Sequence, residues 1–458
     1  MLIQATSQTV SGMVYVLTGN DDLKVASGVT LILLTSDAIL ANSGQYQITV
    51  SGVVMAHDYA INTIGCEQAQ TVVIQAGGVV LGGYTRVEED GDGVILDGID
   101  STVVNHGTII ANGSGLSLFV RDAGTTTMTN NGFISGEKYG IWNKFGIGVL
   151  NITNTGTIES PGAAFFGGTA TDNLTNSGTF LGDVRLNGGA DTYIGLGGSV
   201  VGLIHGGDGN DRFVLGNAAD RVDGGFGIDT LDFSAVTVAL VVDLANGANN
   251  RGLPALGDSY SNIEIMQGGT KADVIRGDAA DIVLYGNNGS DRLNGGAGQD
   301  ILIGGTGGDI LTGGSGSDIF VFNSQAEFRD QITDFSIEED FLRFDSRAIG
   351  LGNFMGGLDP SRFHSSTTNA AADALDRLIF RTTDATLWFD RDGSGTKHQA
   401  ILVADLNDAV LLMAASIDVT SPFGGIIFLS PGWQVKRAAL AGAAFLPSSA
   451  LHSLLRLP

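Results

Sequence analysis

Apolar residues recur along this chain in short runs with a period of two. QYQITVSGVV (45–54) and QTVVIQAGGVV (70–80) alternate apolar and polar side chains, the pattern of a strand with one buried face. Helical spacing is nearly absent before residue 366. The pattern predicts an all-β chain built from many short strands.

Two repeats organise those strands. The looser one is VVNHGTI (103–109), MTNNGFI (128–134), ITNTGTI (152–158) and LTNSGTF (174–180), with glycines at 107, 132, 156 and 178. Steps of 25, 24 and 22 residues between those glycines suit one coil of a parallel β-solenoid with three short strands per turn. Stacked coils predict an internal amide ladder of Asn105, Asn130, Asn154 and Asn176. The glycine beside each predicts a tight, left-handed bend. Residues 1–100 read as earlier, less regular coils, so an N-terminal parallel β-helix is expected over 1–200.

The second repeat is a strict nonapeptide. One block is GGDGNDRFV (206–214), LGNAADRVD (215–223) and GGFGIDTLD (224–232). The other is GGTKADVI (268–275), RGDAADIVLY (276–285), GNNGSDRLN (286–294) and GGAGQDILIGGTGGDILTGGSGSDIF (295–320). Position six is aspartate in every copy: Asp211, Asp220, Asp229, Asp273, Asp281, Asp291, Asp300, Asp309 and Asp318. Position eight is apolar in every copy: Phe213, Val222, Leu231, Ile275, Val283, Leu293, Leu302, Leu311 and Phe320. Three residues make a strand and six make a glycine-rich turn, so two repeats close one flattened coil. The position-eight column then fills a thin interior. A parallel β-roll is expected over 201–321, with an insert at 233–267.

Composition narrows the function. The formal net charge is −26 and glycine is 69 of 458 residues, about twice the usual share of roughly 7%. Such acidity excludes the basic footprint that nucleic acid needs. No run of 18 or more apolar residues suggests a membrane span. Cys66 is the sole cysteine, so no intrachain disulfide is available. The N-terminus lacks a basic start and an apolar core, and does not read as a cleaved signal.

Stacking aspartates on a thin core brings like charges together, and a cation is needed between them. Ca²⁺ suits six to eight oxygens at loose geometry, whereas Mg²⁺ demands a tight octahedron and Zn²⁺ wants Cys and His. The expected pairs are Asp211 with Asp229, Asp273 with Asp291, Asp281 with Asp300, Asp291 with Asp309 and Asp300 with Asp318, for about five ions. Ligands are also assigned to Asp208, Asn288 and the turn carbonyls of Gly206, Gly209, Gly224, Gly286, Gly295, Gly296, Gly298, Gly304, Gly305, Gly307, Gly313, Gly314 and Gly316, and to position 226.

The nonapeptide Gly-Gly-x-Gly-x-Asp-x-apolar-x resembles the haemolysin-type repeat of RTX (repeats-in-toxin) proteins. The resemblance implies a calcium β-roll, export by a type I secretion apparatus through an uncleaved C-terminal signal, and folding outside the cell. VTVALVVDLANG…SNIEIMQGG (236–269) resembles the strand insert that often joins such blocks. DIFVFNSQAEFRDQITDFSIEEDFLRFD (318–345), SRFHSSTTNAAADALDRLIF (361–380) and TLWFDRDGSG (386–395) resemble the C-terminal β domain that closes them, expected over 322–419. Beyond AASIDV (414–419), where such chains usually finish, an acid-free tail follows (420–458), read as an appended export signal or a reading-frame change. The Asn-Gly coils resemble the passenger β-helices of autotransporter adhesins. That resemblance favours a cell-surface or carbohydrate ligand and a non-catalytic role.

Other chemistry is sparse. Asp390, Asp392, Ser394 and Gly395 open like a calcium loop, but position twelve is Ile401 rather than the glutamate an EF-hand needs, so a tight turn is expected. VEEDGDG (87–93) reads as a solvated acidic turn. The six histidines are scattered, and neither HExxH nor GxSxG occurs. Cys66 reads as a buried small residue. The alternative function is a polysaccharide lyase or epimerase on the solenoid, for which Glu88, Glu89, Asp90, His106, Lys138 and Tyr139 would have to share one face.

Overall fold

The computed structural model describes residues 2–4, 8–10, 15–18, 20–42, 44–83, 91–120, 124–144, 146–351, 356–407 and 411–420. Its regular elements are β-strands and a few 3₁₀ turns, with no α-helix among the described residues. The all-β parallel solenoid expected from the period-two pattern is the fold.

The asparagine coils stack in register. Thr102–Asn105, Thr125–Asn130, Val149–Asn154 and Asp172–Asn176 pair in parallel, so Val103, Met128, Ile152 and Leu174 form one buried column. A second face carries Thr108–Ala111, Phe133–Gly136, Thr157–Phe166 and Thr179–Gly188, with Ile109, Ile134, Ile158 and Phe180 inside. A third carries Val94–Asp97, Ser114–Phe119 and Tyr139–Asn143. Each strand is too short to bury a core alone, and parallel stacking gives it both hydrogen bonds and apolar neighbours.

The amide ladder is present. Asn105 Nδ2 donates to Asn130 Oδ1 at 2.8 Å, Asn130 Nδ2 to Asn154 Oδ1 at 2.8 Å, and Asn154 Nδ2 to Asn176 Oδ1 at 2.9 Å. The neighbouring glycines correct an expectation: Gly107, Gly132, Gly156 and Gly178 are not among the left-handed residues. Space explains them instead. A Cβ on Gly132 would lie 2.1 Å from Gly107 O, and one on Gly156 would lie 2.0 Å from Gly132 O.

The pairing runs past residue 200 without interruption, from Asp172–Asn176 to Thr192–Ile194 and on to Arg212–Val214. Coils then narrow to two faces. One face stacks Phe213, Leu231, Met266, Leu284, Leu302 and Phe320. The other stacks Val242, Ile275, Leu293, Leu311 and Ile332. Leu284, not Val283, holds the interior position of its coil, because the ten-residue copy 276–285 shifts its strand by one. The segment 233–267 joins the stack, contributing Val241–Asp243, Ser259–Ser261 and Ile265–Gln267.

Contacts divide the chain into two compact units. The first is Met1–Phe320 with Arg329–Phe335; the second is Val321–Phe328 with Ser336–Pro458. The second unit pairs Leu378–Arg381, Thr386–Phe389 and Ile401–Asp405 antiparallel and buries Phe322, Phe328, Phe344 and Phe389. The expected calcium-loop mimic, Asp390 to Gly395, lies between the last two of those strands as a turn. Of the tail, only Thr420 falls within the described residues.

Candidate metal centre

Every nonapeptide aspartate except Asp281 sits one residue before a strand, where the chain turns into the core. From there most of these carboxylates accept a main-chain N–H from one coil earlier, in most cases that of another aspartate. Asp211 N–H donates to Asp229 Oδ1 at 2.8 Å, and Asp229 N–H to Glu264 Oε2 at 2.8 Å. On the second column, Asp273 N–H donates to Asp291 Oδ1 at 2.7 Å, Asp291 N–H to Asp309 Oδ1 at 2.7 Å, and Asp309 N–H to Asp330 Oδ1 at 3.0 Å. Asp300 N–H donates to Asp318 Oδ1 at 2.9 Å, and Asp220 N–H to Asp258 Oδ1 at 2.8 Å.

That arrangement uses one carboxylate oxygen and strands the other. Asp211, Asp229, Asp291, Asp300 and Asp309 are buried, and the Oδ2 of each has no hydrogen-bond partner; for Asp220 the stranded atom is Oδ1. Among the described residues none of these carboxylates has a lysine or arginine within ion-pair reach. Burial pushes the carboxyl of Asp300 up to about 8, with Asp318 adding like charge. Burial also raises Asp229 and Asp291 to about 7, again with acidic neighbours adding to it. Asp211, Asp273 and Asp309 are raised by burial as well.

The first glycine of each repeat leaves room beside the stranded oxygen. A Cβ on Gly206 would lie 2.3 Å from both Asp211 Oδ2 and Gly224 O; on Gly286, 2.5 Å from Asp291 Oδ2 and 2.3 Å from Gly304 O. On Gly295 it would lie 2.1 Å from Asp300 Oδ2, and on Gly304, 2.5 Å from Asp309 Oδ2. Carboxylate and carbonyl oxygens thus border one small space that only glycine keeps open. The later glycines serve a different need: Gly209, with φ 134°, and Gly298, with φ 120°, occupy backbone that side chains resist.

A family model, the RTX calcium-binding nonapeptide repeat (4 copies), matches residues 202–231, 260–281 and 285–320. The chain carries RTX calcium-binding repeats. No curated protein matches it.

The RTX columns fit a hard cation held mostly by oxygen. No group of three or more His, Cys, Asp or Glu side chains gathers among the described residues. An ion there would therefore take carboxylates from adjoining coils and complete its shell with main-chain oxygens, which Ca²⁺ accepts and Zn²⁺ does not.

Several expected positions lie elsewhere. Asp281 is exposed and off the column; Ile282 takes its place, donating its N–H to Asp300 Oδ1 at 3.0 Å. The extra residue in 276–285 moves the aspartate one step out. Asp208 and Asn288 also point outward, and Thr306 Oγ1 donates to Asn288 Oδ1 at 2.5 Å. Position 226 is Phe226, 80% exposed, and the turn glycine there is Gly227, with φ 140°.

Sequence reading missed Asp258, Glu264 and Asp330, all of which lie on the columns. None has the Gly-Gly-x-Gly run before it, although Gly257 directly precedes Asp258. Their legible signal was the shorter one: an acid, any residue, then a buried apolar side chain, here Tyr260, Met266 and Ile332.

The residues considered for catalysis are dispersed or undescribed. Glu88, Glu89 and Asp90 lie outside the described residues. His106 is exposed, with Nδ1 3.0 Å from Asn131 Nδ2. Lys138 is exposed at a different corner of the coil, and the Tyr139 ring packs 5.2 Å from Trp142 and 4.9 Å from Phe166. Cys66 is buried, which pushes its thiol up to about 11, and it donates to Ala41 O at 3.2 Å.

Proposed function

We propose that this is a secreted, calcium-folded RTX protein whose N-terminal solenoid acts in adhesion or matrix contact without catalysis. The observation that carries the reading is the set of buried aspartates Asp211, Asp229, Asp291, Asp300 and Asp309, each with a stranded oxygen and, among the described residues, no lysine or arginine within ion-pair reach. Adjoining aspartates of the columns, Asp211 with Asp229, Asp273 with Asp291, Asp291 with Asp309 and Asp300 with Asp318, would hold one ion each, with carbonyls of turn glycines such as Gly224 and Gly304. Bound Ca²⁺ would supply the positive charge that lets the column close. The working parts are the solenoid (1–200), the roll (201–321), the C-terminal β domain (322–419) and the tail (420–458).

Export by a type I apparatus follows from the family expectation. An acidic roll stays open where free Ca²⁺ is scarce and folds where it is millimolar, because binding free energy becomes folding free energy. No helix among the described residues is long and apolar enough to cross a membrane. Circular dichroism during a calcium titration tests the reading: strand signal is expected to rise at millimolar Ca²⁺, and a flat response would sink it.

A carbohydrate ligand is supported by one patch. Tyr139, Trp142 and Phe166 are half-buried, the Tyr139 ring is tilted against both of the others, and Lys144 Nζ lies 4.5 Å from the Trp142 ring centre. Ring faces beside an ammonium suit sugars that carry carboxylates. Uronate-containing polysaccharides are expected to bind without turnover, and weaker binding is expected for Trp142→Ala. Steady formation of unsaturated products would overturn the non-catalytic part.

A further inference from the structure

The aspartate column extends upstream of the matched repeats. Asp191 stands directly before Thr192–Ile194, as Asp211 stands before Arg212–Val214. Asp191 N–H donates to Asp211 Oδ1 at 2.8 Å, and Asp191 Oδ1 accepts from Asp172 N–H at 2.7 Å. The relay from Asp211 to Asp229 is the same, at 2.8 Å. The preceding turn also has the RTX shape. Asn187 pairs with Gly207 and Gly188 with Asp208. Asn187 and Gly189 have φ of 72° and 132°, beside 112° and 134° at Gly207 and Gly209. Gly189 N–H donates to Asp208 O at 2.9 Å, as Gly209 N–H does to Phe226 O at 2.8 Å.

Asp191 is 1% exposed, and its Oδ2 has no hydrogen-bond partner. The residues linked to it on either side, Asp172 and Asp211, are both acidic. A buried carboxylate between two others needs a proton or a cation. Asp172 is different. Its Oδ1 accepts from Asn143 Nδ2 and its Oδ2 from Gly168 N–H, both at 2.9 Å, so neither oxygen is stranded. The column of stranded oxygens therefore begins at Asp191.

We infer that Asp191 and Asp211 together hold a further calcium ion, in a coil that the nonapeptide pattern does not reach. The inference rests on the calcium reading of the RTX columns. Leu186 stands where the repeats have their first glycine, which is why the motif is not legible there, and the room for the ion is the space Gly206 leaves beside Asp211 Oδ2. The site would also tie the two ladders together: Tyr193, two residues on, accepts a hydrogen bond from Asn176 Nδ2 at 3.2 Å, at the end of the amide ladder.

Calcium bound per full-length chain, measured by equilibrium dialysis at saturating Ca²⁺, tests the inference. Asp191→Asn keeps an Oδ1 acceptor for Asp172 N–H and is expected to bind about one ion fewer. Asp300→Asn, inside the matched repeats, is expected to do the same. An unchanged count for Asp191→Asn beside a loss for Asp300→Asn overturns the inference and leaves the RTX reading standing. Unchanged counts for both overturn both. Should Asp191→Asn not fold, terbium in place of calcium interrogates the site through Tyr193. Sensitised emission is expected to fall in Tyr193→Phe at equal terbium occupancy, and undiminished emission overturns the inference.

Discussion

The molecule stacks two ladders of closely similar side chains, and one hetero-atom separates their behaviour. In the solenoid, each asparagine amide both donates and accepts, so Asn105, Asn130, Asn154 and Asn176 satisfy one another along the stack. In the roll, each carboxylate only accepts. For Asp211, Asp229, Asp291, Asp300 and Asp309 the donor is a main-chain N–H, the second oxygen is stranded, and the neighbours share the charge. The amide ladder is complete within the protein; the carboxylate ladder is complete only with something positive added.

Withdrawing calcium is expected to break that comparison most sharply. Hydrogen exchange after chelation should strip protection from 206–320 and spare 103–180; equal loss in both regions would show that the solenoid depends on the metal too. Next in size is pH in the metal-free chain. Asp229, Asp291 and Asp300 have folded values of about 7, 7 and 8 against an ordinary 3.8. Between those limits the folded state binds more protons than the unfolded one, so stability falls as pH rises. Metal-free roll is therefore expected to regain strand signal near pH 5 and lose it through about pH 8. Saturating Ca²⁺, which requires ionised carboxylates, should reverse the slope. A metal-free transition with the opposite sign would refute the assignment.

A smaller effect is expected from Asp300→Ala with Asp309→Ala, which removes one member from each column. The calcium midpoint should rise about tenfold, the equivalent of roughly 1.4 kcal/mol; an unmoved midpoint would count against these ligands. Of comparable size, but independent of calcium, is Asn130→Ala in the other ladder. It leaves the Asn105 amide donor and the Asn154 carbonyl acceptor facing a gap, at a cost of about 1–3 kcal/mol. The loss should show in urea unfolding equally with and without Ca²⁺, and a calcium-dependent loss would blur the two ladders into one.

Much of this was legible in the chain itself. Period-two runs predicted strands, the 22- to 25-residue glycine spacing predicted three-stranded coils, and the nonapeptide predicted a roll with one acid and one apolar residue per turn. Each follows from local chemistry: alternation places side chains on opposite faces, and glycine-rich turns recur where the chain reverses. The glycines were legible as necessary but not for their reasons, since Gly132 is required by the approach of another coil and Gly295 by the Asp300 carboxylate of its own turn, neither by its own dihedral angles.

Membership of the aspartate columns belongs to the tertiary structure. The linked acids lie 18 residues apart from Asp211 to Asp229, but 20 from Asp191 to Asp211, 35 from Asp229 to Glu264 and 38 from Asp220 to Asp258. One inserted residue removes Asp281 and puts Ile282 in its place. A fixed period sees only the 18-residue steps. Register between coils decides the rest, because a carboxylate joins the column by standing before a strand that pairs with the next, whatever length of chain lies between.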